Sequence, residues 1–160
     1  MAYEFYVSIQ GKKQGKFKGE SSGIGRRTTK DRIPGVRFSL EVVLPRDPAS
    51  GLPTGKRQHK PIVFTGEWGA SSPQLFQALV TNEVLSTVLF EFVKTDLAGK
   101  QFVHSTIKLT DASISDLRSY LDLTDAHDAR ELEDVSLTYR RIEIEDVETK
   151  TTASDDWSTT

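Results

Sequence analysis

Gly19-Glu20-Ser21-Ser22-Gly23 is the stretch of this 160-residue chain that comes nearest to a catalytic pattern. It matches the G-x-S-x-G turn that presents a nucleophilic serine, which needs a buried strand before it and a helix after it. Lys16-Phe17-Lys18 precede it and Arg26, Arg27 and Lys30 follow, so neither element is in prospect and a hydrolase acting through Ser21 is disfavoured. Extended to Ile24-Gly25, the stretch looks like the cofactor loop of short-chain dehydrogenases, which cradles a pyrophosphate at a helix N-terminus. Those enzymes also need a lysine four residues after a tyrosine, and none of Tyr3, Tyr6, Tyr120 or Tyr139 has one. His59, His104 and His127 lack the close spacing of metal ligands, and with no cysteine there is no thiolate site, disulfide or Cys nucleophile. Asp122, Asp125 and Asp128 lack the twelve-residue calcium-loop pattern and read as a solvated turn. No catalytic residue, metal ligand or cofactor is assigned.

The charge points elsewhere. The net charge is -2, yet residues 11–60 carry 13 basic and four acidic side chains, while residues 61–160 carry eight basic and 18 acidic ones. Such a basic segment suits phosphates. Its aromatics are only Phe17 and Phe38, too few for a base-stacking platform, so nucleic acid is not expected as a partner. One basic and one acidic region on one chain also suit head-to-tail self-association. No apolar run approaches the roughly 20 residues of a membrane span, and no basic, apolar leader precedes Tyr3. Folding in the cytoplasm, without membrane insertion, is the expectation.

The elements are mostly strands. Tyr3, Phe5, Val7 and Ile9 alternate with polar residues, as do Val36, Phe38, Leu40, Val42 and Leu44, and Val103 to Leu109. Val84–Lys94 is apolar on both faces, which predicts a strand covered on both sides. Ile62–Thr65 and Ala112–Tyr120 are weaker candidates. Val135, Leu137 and Tyr139 share one phase and Ile142 and Ile144 the other, which predicts a β-bulge near Arg140-Arg141. The spacing predicts one helix: Ser71 or Ser72 as N-cap, Pro73 in the first turn, Gln74 closing a capping box, and Asn82 at the end. Its apolar stripe would be Leu75, Phe76, Leu79 and Val80. The fold class expected is mainly β: a small antiparallel two-sheet barrel with one flanking helix and a long extended loop.

Two connections stand out. Gly11–Asp31 is basic and glycine-rich; Pro45–Lys60 holds three of the six prolines between two good strands. A charged, proline-stiffened loop of that length with no core of its own reads as an arm laid on another subunit. One domain is expected over residues 1–148, and residues 149–160 read as a disordered tail.

These loops carry a family resemblance. Ile9-Gln10-Gly11 with Gly15 to Ser21, then Pro45 to Pro61, then Ser71 to Glu83, closely resemble the Hcp family, the haemolysin-coregulated tube subunits of bacterial type VI secretion systems. Thr106 to Ile114 is similar to a later strand pair of that family. The resemblance covers roughly residues 3–146. It implies a structural, non-enzymatic protein: a homohexameric ring that stacks into a tube within a contractile sheath, capped by a VgrG-type spike, with baseplate proteins as further partners. It also implies small effectors in the lumen, and secretion through the machine itself without a signal peptide. The subunit-interface residues it implies are Pro45, Arg46, Asp47, Pro48, Leu52, Pro53, Lys56, Arg57, Gln58, His59 and Lys60. Apolar contacts there would come from Leu44, Leu52 and Ile62. Lys16, Lys18, Glu20, Arg26 and Arg27 would belong to a ring-stacking or lumen loop. A phage tail-tube protein and a monomeric nucleic-acid-binding barrel are the alternatives.

Overall fold

The computed structural model describes residues 3–19, 31–124, 127 and 129–157. In chain order the elements are β1 (Tyr3–Gly11), β2 (Gly15–Lys16), β3 (Ile33–Ser39), β4 (Val42–Val43), β5 (Gln58–His59), β6 (Ile62–Glu67) and α1 (Ser72–Val80). They continue with β7 (Leu85–Thr95), β8 (Gln101–Leu121), β9 (Glu131–Thr138), β10 (Arg141–Asp146) and β11 (Thr151–Asp156).

Pairing runs β8-β7-β1-β3-β6-β9, and β9 returns to β8, so six antiparallel strands close a barrel. Among the described residues, the chain forms the expected mainly-β barrel with one flanking helix. Closure leaves these strands no free edge. Inward-facing Val7, Ile9, Phe64, Val88, Phe90, Leu109, Val135 and Leu137 are all fully buried, which explains the period-two alternation. Gly35 makes room for one large ring: a Cβ there would lie 2.0 Å from the ring of Phe5. Phe17 and Phe38 belong to this core, so neither is available for stacking on a base.

β7 corrects one expectation. Its outer face is covered only in part, at Val93 and partly at Leu89, and Leu85 reaches the inner face through an irregularity in pairing. The register against β1 shifts at Gln10/Gly11 and that against β8 at Phe92/Val93. The shift against β1 turns Leu85 inward with Val88 and Phe90, and Phe92 packs against the same core, while Val93 is buried on the opposite face.

The bulge expected at Arg140-Arg141 is also absent. Ser113 pairs with Thr138 and Thr110 with Arg141, so the register is unbroken across the junction. Instead both strands bend there. On β8 the buried set passes from Ile107 and Leu109 to Ala112 and Ile114; on the partner it passes from Leu137 and Tyr139 to Ile142. Asp111 takes a left-handed conformation at φ 50° at this point. The two strand candidates 103–110 and 112–120 are thus one kinked strand, β8.

The helix starts and ends near the predicted positions. Asn82 lies at φ 51°, with Asn82 N–H donating to Leu79 C=O and Glu83 N–H to Ala78 C=O, a Schellman ending. The capping box does not form. Ser71 makes no side-chain cap, and the Gln74 side chain turns away to accept from Lys18 N–H at 2.8 Å. The buried face is Leu75 and Ala78, with Leu79 partly covered, while Phe76 and Val80 are each 59% exposed. The stripe is displaced because α1 packs against β8 on one side only.

Residues 149–160, expected as a disordered tail, contain a strand: β11 pairs with β10 from Arg141–Asp156 to Asp146–Thr151. Lys150, at φ 58°, makes the turn between them.

Candidate assembly surface

The long connection between β3 and β6 is a narrow, projecting ribbon and not a structureless loop. The alternation over Val36 to Leu44 belongs to two strands, because the chain leaves the barrel after Ser39. Val42 and Val43 then pair with His59 and Gln58. Farther out, Arg46 bridges to Pro53, Thr54 N–H donates to Pro45 C=O, and Asp47 and Leu52 close the tip. Pro48 sits in a turn that Asp47 organises: its carboxylate accepts from Ala49 N–H at 3.1 Å and Ser50 Oγ at 2.9 Å. Those bonds hold the Asp47 carboxyl below its ordinary value.

Val42, Leu44 and Leu52 are exposed on this arm, Leu52 by 64%, while Arg46 and Lys56 stand beside them. Apolar side chains left in water on a ribbon without its own core are what a protein contact requires. Ile62, grouped with Leu44 and Leu52 as an apolar contact, is fully buried in the barrel and is not part of the surface.

The root of the arm is tied to the end of the chain. Arg57 Nε donates to Asp155 Oδ2 at 2.5 Å, and its Nη2 reaches Asp156 C=O at 3.3 Å. His59 Nε2 lies 2.6 Å from the same Asp155 oxygen, and His59 Nδ1 lies 2.9 Å from the Tyr139 hydroxyl. The imidazole is edge-on to Tyr139, stacks with Trp157 at 6.3 Å, and is only 5% exposed. Trp157 is fixed by its indole N–H on Tyr139 C=O and its backbone N–H on Arg140 C=O. Lys60 pairs with Glu41 across the root at 3.2 Å.

The electrostatics follow from these contacts. Asp155 is held below its ordinary carboxyl value, first by the Arg57 bond and then by His59, and Arg57 is raised in turn. Burial, and then the Asp155 charge, push the Tyr139 hydroxyl up to about 12. With both ring nitrogens engaged and the ring covered, His59 is a structural tie with no face open to a substrate. The sequence placed Arg57 and His59 in the arm but missed Asp155, Tyr139 and Trp157. A tryptophan inside a polar tail was the one signal that this tail packs on something.

The basic loop is seen in part. Lys16 lies in β2, paired with Gln10, and Lys18 is held through its backbone by Gln74. Glu20, Arg26 and Arg27 lie outside the described residues, as does Ser21. The start of this loop is built against the helix end: Lys13 and Gln14 N–H donate to the buried Glu83 carboxylate at 3.1 and 2.9 Å. Gly11 permits that approach, since a Cβ there would stand 2.1 Å from Glu83 Oε2.

The chain is similar to known proteins in both sequence and fold. Residues 6–145 match the family model described as type VI secretion system effector, Hcp. The chain is 40% identical to the "Major exported protein" of Pseudomonas aeruginosa strain PAO1, over 98% of this chain and 96% of that one. A crystal structure of an Hcp protein superposes with a TM-score of 0.88 at 35% identity, covering 98% of this chain and 100% of the other. The secreted protein Hcp3 of P. aeruginosa gives 0.80 at 33% identity, covering 98% and 99%. Hcp1 of E. coli EAEC 042 gives 0.83 at 26%, also covering 98% and 99%.

Proposed function

Because the chain belongs to the Hcp family of type VI secretion system proteins, we propose that it is a structural subunit of the secretion tube. It assembles into hexameric rings, the rings stack, and the tube is exported through the machine that it helps to form. Small effector proteins travel in the ring lumen. Its partners are first its own copies, then a VgrG-type spike, a contractile sheath and baseplate proteins. The role is mechanical, and no reaction is assigned to it.

The observation that carries this reading is the arm. It exposes Val42, Leu44 and Leu52 beside Arg46 and Lys56, and its root is fixed to the barrel through Asp155. A ring needs a heterologous contact in which one patch meets a different patch until the rotation closes. A projecting arm supplies one half of such a contact. The opposed charges of residues 11–60 and 61–160 favour one register over others.

Light scattering on the size-exclusion peak tests this. A mass six times the 17.9 kDa chain is the expected result. Dissociation at high salt would assign the register to charge, and a salt-resistant ring would assign it to the apolar residues. A monomer at every concentration and salt would overturn the proposal.

A further inference from the structure

We infer that the C-terminal strand β11 is a clasp on the arm, and that the clasped pose of the arm is the one competent to bind a second copy. This rests on the reading that the arm makes contact between copies.

The arm is not self-supporting. It leaves the barrel after Ser39 and returns at Ile62, and between those points its ribbon has two β4–β5 pairs and one isolated bridge. Leu40 packs on the core at its base, but beyond it Val42, Leu44 and Leu52 face water, and a ribbon that short has little packing of its own to fix its direction. Its third point of attachment is Asp155, which takes Arg57 and His59 together, with Tyr139 and Trp157 enclosing the imidazole.

The clasp is itself braced. β11 has no large apolar residue, so it is held by its pairing with β10 and by its last residues. Arg140 joins Asp156 to Asp111, the residue at the bend of β8, and Trp157 closes on Tyr139 and Arg140. The arm is thereby referenced to the kink of the barrel wall.

Asp155 is the group whose loss opens the clasp. The charged and titratable groups about it are Arg57, His59, Tyr139, Arg140 and Asp156. His59 satisfies both neighbours in either charge state: when neutral it donates from Nε2 to Asp155 and accepts the Tyr139 O–H at Nδ1, and when protonated it donates to both. Asp155 has no such alternative, since a neutral side chain there leaves the Arg57 guanidinium without its counter-charge.

Asp155→Ala tests this with two readouts on the full chain: tryptic cleavage after Arg46, Lys56 and Arg57, and mass by light scattering. Proteolysis tracks the population of the open state, so cleavage rising by about tenfold is expected. Loss of the assembled peak should accompany it, with unchanged far-UV circular dichroism. Trp157→Ala, which removes the lid on His59 and leaves the ion pair, should move both readouts the same way. Lys60→Ala, which breaks only the exposed pair with Glu41, should move neither. An arm that stays protected in Asp155→Ala would overturn the clasp. A labile arm on a protein that still assembles would overturn its control of assembly, leaving the tube reading intact. If the unaltered protein does not assemble, that reading fails, and the cleavage rates still decide whether β11 holds the arm.

Discussion

Arg140 donates through Nε to the carboxylate of Asp111, 29 residues earlier in the chain, at 3.0 Å, and this pair sits where two neighbouring strands change face together. Asp111 N–Cα is rotated to φ 50°, a conformation costly for most side chains and tolerated by Asp and Asn. The bend lets β8 pair with β7 and β10 through its first half and with β9 through its second.

Two substitutions at Asp111 separate its conformation from its charge. Asp111→Asn keeps a residue suited to φ 50° and loses two partly exposed ion pairs, with Arg140 and Lys12, so it should cost under about 1 kcal/mol. Asp111→Val adds a left-handed β-branched residue and should cost about 1–2 kcal/mol more. Denaturant melts of the two variants measure the difference.

Gly11 and Glu83 should be strongly coupled. Gly11→Ala drives a methyl into Glu83 Oε2 and should destabilise by about 1–3 kcal/mol. Glu83→Ala leaves the Lys13 and Gln14 N–H groups without their acceptor and should cost about 1–3 kcal/mol. The double variant should cost clearly less than the sum, because the clash and the lost acceptor share one oxygen.

The arm root should show two pH limits. The Asp155 carboxyl is depressed in the folded protein, so its contribution is present above the ordinary 3.8 and is lost as pH falls through the lower folded value. Tyr139 is raised from 10.0 to about 12, so its contribution is present below pH 10 and is lost as pH rises through about 12. Fluorescence of Trp157, measured at each pH and compared with Trp157→Phe, is the acid readout. Tyrosinate absorbance, compared with Tyr139→Phe, is the alkaline one.

Glu133 should be a cost at neutral pH. It is buried beneath the start of α1, and burial raises its carboxyl, against a hydrogen bond from Ser72 Oγ at 3.0 Å. A raised value means that its favourable contribution is present below the ordinary 4.5 and is lost as pH rises through the folded value. Glu133→Gln keeps the acceptor for Ser72 and removes the charge, so Tm should rise at pH 7 and the gain should vanish in acid. A lower Tm at pH 7 would count against the assignment.

Much of the fold was determined by the sequence alone, because its signals are local. Alternation in Tyr3 to Ile9 needs no partner strand to be read, and Asn82 ends a helix by its own conformational tolerance. The arm was legible as three prolines and a basic run with no apolar period. What the tertiary structure decided lay in relations between distant residues. Whether a phase change means an inserted residue or a shared bend depends on the partner strand's register, which Tyr139 and Arg140 do not encode by themselves. Thr151–Asp156 carries no apolar pattern, since β11 is held by backbone pairing and by charges that meet residues about a hundred positions away. His59 and Asp155 stand 96 residues apart in the chain and 2.6 Å apart in the fold, a proximity that only barrel closure creates.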